Sequence, residues 1–152
     1  MDNQQPVVIL LVEDDPGHAS LIRKNLKRGG FLNEVINVSD GQQALDFIGL
    51  AGEFAGRTPE GPLLIILDVN LPRIDGVEVL RRIKADARTA KIPVIILTTT
   101  DDPREIERCY EFGCSVYVTK PVIYEKFVDA VRRIGMFLQV VTVLREDEIR
   151  RD

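Results

Sequence analysis

Apolar and polar positions alternate along this chain in blocks. Val7–Val12 and Leu63–Leu67 are continuous apolar runs, and each stops abruptly at carboxylates: Glu13-Asp14-Asp15 after the first, Asp68 after the second. A third run, Ile92–Leu97, stops at Thr98-Thr99-Thr100, and a fourth, around Val116–Val118, leads to Lys120-Pro121. Unbroken apolar runs of this length read as parallel strands covered on both faces. Between them lie segments of helical period. Pro16–Arg28 is followed by Gly29-Gly30; a second helix runs from Ser39-Asp40 to about Leu50; Asp75–Asp86 carries Val77, Leu80 and Ile83 on one side. A fourth helix is expected from Asp102-Pro103 to Gly113. The fifth, Ile123–Leu138, has Phe127, Val131, Ile134 and Leu138 as its inner stripe. A further strand, about Glu34–Val38, is the least apolar and is assigned to an edge.

Strict strand–helix alternation predicts an α/β fold: five parallel strands, doubly wound, with right-handed crossovers. The expected order is 2-1-3-4-5, that of flavodoxin-like (βα)5 sheets. It sets strands one and three side by side at the switch point, and ligands of such sheets bind beyond the carboxyl ends of the strands. Acid, hydroxyl and amine are thereby delivered to one rim. One domain over residues 1–139 is expected, with a short C-terminal extension over 140–152.

Bulk composition removes several classes. The net charge of −4 and pI near 5.1 leave no basic stripe for a phosphate backbone, so no nucleic-acid contact is expected. No apolar stretch reaches the roughly 20 residues of a membrane span. The polar, acidic start Met1-Asp2-Asn3-Gln4-Gln5 is the opposite of a secretory signal, which points to a cytoplasmic chain with free thiols at Cys109 and Cys114. The turn Glu13-Asp14-Asp15-Pro16 is no glycine-rich phosphate cradle. An aspartyl-phosphate phosphatase would need a second acid two residues after Asp68, where Asn70 stands.

The segments LLVEDDP, LDVNLPRIDG and YVTKP, at their observed spacing, resemble the receiver domains of two-component response regulators over roughly Val7 to Leu138. The long loop before strand three, the run IPVIILTTTDD, the CYEFG of helix four and the apolar continuation after helix five resemble the single-domain regulators paired with bacterial phytochromes. The resemblance implies that Asp68 accepts a phosphoryl group from a sensor histidine kinase of phytochrome type. The chain would then act as a signalling switch, with no enzyme turnover beyond its own phosphorylation and dephosphorylation. Asp14, Asp68 and the backbone carbonyl of Asn70 would hold Mg²⁺, with Glu13 reaching it through water. Converging acids favour such an ion: a like-charge pair at ~4 Å costs roughly 4 kcal/mol at an effective dielectric of 20, and oxygen donors suit Mg²⁺.

The same resemblance gives Lys120 and Thr98 to the phosphoryl oxygens. Tyr117, two residues before Thr119, would be the aromatic that turns inward when Thr98 moves. It also implies a cis bond between Lys120 and Pro121. Asn70 and Thr100 stand where the family tunes water attack. Asp15 is expected to cap helix one, and His18, the single histidine, to face solvent. Output by protein contact follows, through helix four, strand five and helix five. The apolar run Phe137–Leu144 points to a homodimer, unless it folds back on its own domain. The alternative function is a pseudo-receiver, a binding module indifferent to phosphate.

Overall fold

Alternate residues of the central strands leave the sheet on opposite sides, and each set is buried. In the computed structural model, which describes residues 6–59, 61–121, 123–140 and 142–150, the strands are β1 (Val8–Val12), β2 (Val35–Val38), β3 (Leu63–Leu67), β4 (Val94–Thr98) and β5 (Val116–Thr119). The helices are α1 (Pro16–Arg28), α2 (Gly41–Gly49), α3 (Gly76–Ala85), α4 (Pro103–Phe112), α5 (Tyr124–Leu138) and α6 (Glu146–Ile149). Ile9, Leu11, Leu64, Ile66, Ile95 and Leu97 pack against α1 and α5. Leu10, Val12, Ile65, Leu67, Val94 and Ile96 pack against α2, α3 and α4. Period-2 alternation buried on both faces is why these strands read as continuous apolar runs.

All four strand pairs are parallel, in the order β2-β1-β3-β4-β5. Fold class and strand order agree with the sequence reading. The less apolar β2 lies at an edge. β4 starts two residues later than its apolar run, at Val94. Ile92 is held in a turn by its N–H bond to Thr89, and Pro93 has no N–H to give a ladder.

Acids at the carboxyl ends of the strands divide into two kinds. Asp15, Asp40, Asp75 and Asp102 each accept a backbone N–H in the first turn of α1, α2, α3 and α4. They are caps, satisfying amides that a helix start leaves free. Glu13, Asp14 and Asp68 cap no helix. At the other end of α4, Gly113 takes φ 103°, the left-handed turn that ends a helix at low cost for glycine.

Two features depart from the sequence reading. The Lys120–Pro121 bond is trans, not cis; no cis peptide occurs among the described residues. Lys120 is directed into the rim by the β5 ladder, its N–H bonded to the Thr98 carbonyl at 2.6 Å. The charged end of the chain also forms a helical turn, α6, which docks on the amino end of the sheet. The Glu146 N–H bonds the Gly61 carbonyl at 2.6 Å, and Ile149 is buried in the α2–α4 core. Val140 and Leu144, on the connection from α5, remain exposed.

Candidate functional site

Strand register assembles the rim. Val12 pairs with Leu67, which sets Glu13 beside Asp68; Thr98 pairs with Thr119, which sets Lys120 on the next flank. The Asp68 N–H bonds the Val12 carbonyl at 3.1 Å. Behind Asp68 the β3–α3 loop closes tightly. A Cβ on Gly76 would stand 2.2 Å from the Asp68 carbonyl oxygen, so any larger residue would displace the strand end.

One carboxylate oxygen from each of Glu13, Asp14 and Asp68 lies within 4.8 Å of the others. Glu13 and Asp68 are buried and Asp14 is exposed. Lys120, also buried, donates to Asp68 Oδ2 at 3.0 Å and to Glu13 Oε1. Thr98 Oγ1, fully buried, donates to Asp68 Oδ1 at 2.6 Å, and the Asn70 N–H donates to the same oxygen at 3.0 Å. Burial pushes the Glu13 carboxyl above its ordinary value, more than the Lys120 bond pulls it down. Three acids face one amine, and every donor in the set is a hard oxygen. That set fits a divalent cation of the Mg²⁺ or Mn²⁺ kind, not a soft-ligand metal.

Around this centre runs a hydroxyl chain. The Asn70 side-chain amide donates to Thr100 Oγ1 at 3.0 Å and to Thr98 Oγ1 at 3.4 Å. The Tyr117 hydroxyl donates to the Thr100 carbonyl at 2.7 Å. Burial, helped by nearby anionic groups, pushes the Tyr117 phenol up to about 12. The structure thus brings together Glu13, Asp14, Asp68, Asn70, Thr98 and Lys120, and links Tyr117 to them through Thr100. Asp15 caps α1 as expected. His18 differs from its sequence reading: it is half-buried, packed at a tilt against Phe127, with Nδ1 at 3.4 Å from Lys120 Nζ. The available signal was its place in the first turn of α1, just beyond the acids. Cys109 and Cys114 are free and buried, and burial pushes the Cys109 thiol up to about 11.

In a parallel sheet of this order ligands bind beyond the carboxyl ends of the strands, which is where these acids stand. This chain belongs to the response regulator receiver domain family, whose sequence model matches residues 9–132. A crystal structure of a response regulator receiver domain from Rhodospirillum rubrum superposes with a TM-score of 0.84 at 46% identity, over 91% of this chain and 97% of that one. Response regulator Rcp1 of Synechocystis sp. is 36% identical over 143 residues, 93% of this chain and 96% of Rcp1. A crystal structure of the Mn²⁺-bound form of response regulator Rcp1 matches with a TM-score of 0.82 at 35% identity, over 90% of this chain and 98% of that one. The phosphorylated cyanobacterial phytochrome response regulator RcpA matches with a TM-score of 0.82 at 34% identity, over 90% of this chain and 96% of that one. Among the described residues no helix is long and apolar enough to cross a membrane.

Proposed function

We propose that this receiver accepts a phosphoryl group on Asp68 from the phospho-histidine of a cytoplasmic sensor histidine kinase of phytochrome type. The observation that carries this is the state of the Asp68 carboxylate. It is buried, yet one oxygen is held by Thr98 and Asn70 and the other by Lys120. In the step, an Asp68 oxygen bonds to phosphorus while the phosphorus–nitrogen bond of the donor breaks and its electron pair stays on the imidazole. The product is an acyl phosphate. Lys120 and Thr98 stand where they can turn from the carboxylate to phosphoryl oxygens. Asp14, Asp68 and the Asn70 carbonyl would hold Mg²⁺, with Glu13 reaching it through water. When bound, the ion supplies neutralising charge to the converging acids and the incoming phosphoryl group.

Support for the donor class comes from the likeness to RcpA, and support for the ion from the acidic triad and from Mn²⁺ bound by Rcp1. Movement of Thr98 would be passed through Thr100 to Tyr117 and so to the face of α4, β5 and α5. That face exposes Tyr110, Val116, Ile123 and Tyr124, and continues into Met136, Phe137, Val140 and Leu144. We assign it to a homodimer. Because α6 is docked on its own domain, the exposed residues Met136, Phe137, Val140 and Leu144 are the part of the C-terminal region offered to the contact. Gel filtration of the full chain and of a chain ending at residue 139 tests this, and an unchanged dimer removes the extension from the interface.

The chemistry is tested by incubation with acetyl phosphate, with and without Mg²⁺, followed by intact mass. One phosphoryl group gained with Mg²⁺ and lost in Asp68→Asn is expected. A folded wild type that gains nothing would identify a phosphate-independent binding module instead.

A further inference from the structure

Lys120 has three N–H donors and no acceptor. Two directions are taken by the carboxylates of Glu13 and Asp68, and the third is faced by His18 Nδ1 at 3.4 Å. An ammonium can only donate, so a bond between the two needs the ring nitrogen as acceptor, with the imidazole proton on Nε2. The ring is fixed from two elements. Its centroid lies 5.7 Å from that of Phe127, a buried residue of α5, with the planes tilted by 55°. Its own backbone N–H donates to the cap carboxylate of Asp15 at 3.1 Å. Packing against Phe127 needs an apolar surface; it does not need a nitrogen lone pair aimed at a lysine.

We infer that His18 is a positioning residue for phosphorylation. It holds the third donor of Lys120, so the ammonium keeps its aim while Asp68 changes from carboxylate to acyl phosphate. Without it, the outer N–H turns to water and the ammonium gains rotational freedom at the moment it must find a phosphoryl oxygen. The inference rests on the reading of Asp68 as phosphoacceptor.

The test compares wild type, His18→Leu and His18→Asn in Mg²⁺, with phosphorylation followed by intact mass over a range of acetyl phosphate concentrations. Leucine keeps an apolar body against Phe127 and removes the acceptor. Asparagine returns an oxygen near the place of Nδ1. The expected result is a limiting rate about three- to tenfold lower in His18→Leu, at an unchanged half-saturating donor concentration and thermal midpoint, with recovery in His18→Asn. Equal rates in wild type and His18→Leu would overturn the inference and leave Asp68 as the acceptor. An asparagine variant as slow as the leucine variant would overturn it too, since the lost acceptor would not be the cause. A wild type that takes no phosphoryl group refutes the Asp68 reading and this inference with it. If His18→Leu does not fold, His18→Phe, which also stacks on Phe127, takes its place.

Discussion

Glu13 and Asp68 at the carboxyl end of the sheet, and Glu146 at its amino end, are buried carboxylates bonded to cations, yet their surroundings differ in kind. At the carboxyl end three acids cluster beside one lysine, a compact charge on a flexible stem that bonds two of them, Glu13 and Asp68. At the amino end one glutamate meets two arginines. Arg57 grips both Glu146 oxygens at 2.8 and 2.9 Å, and Arg150 adds a bond at 3.0 Å. Both guanidiniums also donate to the last carbonyls of α2, Arg57 to Phe47 and Arg150 to Ile48. Those carbonyls lie in the last turn, where no N–H of the helix itself reaches them; Phe47 also takes the cap N–H of Leu50 at 3.5 Å, and both sit at the negative end of the dipole. Arg57 also lies 3.9 Å over the Phe47 ring. The amino-end cluster is closed: its one carboxylate is outnumbered by guanidiniums that spend their remaining donors on the α2 carbonyls, and its geometry is planar and fixed. The carboxyl-end cluster carries surplus negative charge and can take a cation or an electrophile. Burial alone does not make an acid reactive; the balance around it does.

The most severe way to break this contrast is to remove the single amine. Lys120→Met leaves Glu13 and Asp68 buried with no cation. A loss of about 3–5 kcal/mol is expected in urea unfolding at neutral pH, recovered in large part by millimolar Mg²⁺ through preferential binding to the folded state. If Mg²⁺ restores nothing, the surplus charge is not open to a cation. Glu146→Ala, at the closed end, should cost about 2 kcal/mol, because both arginines keep their α2 carbonyls. The proposed phosphorylation of Asp68 should run at the wild-type rate in this variant; a slowed reaction would show that the two ends are coupled. Arg57→Lys should cost about 1 kcal/mol by replacing the planar fork and ring stack with a point charge.

The smallest effect concerns exposed pairs, a reference for both ends. Arg81 and Arg82 hold the Glu78 carboxyl down at about 2, against an ordinary 4.5. The folded value is the lower one, so the contribution is present above pH 4.5 and lost as pH falls toward 2. The stability difference between wild type and Glu78→Gln should shrink to nothing over that window, and solvent access to all three side chains keeps it small throughout. A difference that persisted at the acid end would show that Glu78 acts by packing and not by charge.

The parts of the molecule legible in the sequence are those where one short segment contains both the element and its chemistry. Leu63–Leu67 followed by Asp68 announces a buried strand and what stands at its end. Asp15-Pro16 announces the start of α1. The amino-end cluster announces nothing, because Arg57 and Glu146 are 89 residues apart and each resembles a solvated charge. The turn Glu146–Ile149 is too short to show a helical period. His18 is hard to place from sequence for a related reason: its neighbours in sequence are acids, while its neighbours in space include Phe127 and Lys120, more than 100 residues on. The cis bond implied at Pro121 came from the resemblance alone, and the ladder of β5 delivers Lys120 without it.

The Tyr117–Thr100 bond has a practical side. The chain has three tyrosines and no tryptophan, so its intrinsic ultraviolet emission comes from phenol rings alone. Tyr124 stands largely in solvent and Tyr110 about half so, its hydroxyl accepting the Tyr117 N–H at 3.0 Å, whereas Tyr117 is half-buried and tied to the rim by its own hydroxyl. Breaking that tie changes the surroundings of the one sheltered fluorophore. The protein therefore carries a built-in optical reporter of the Thr98–Thr100 segment, readable without a label.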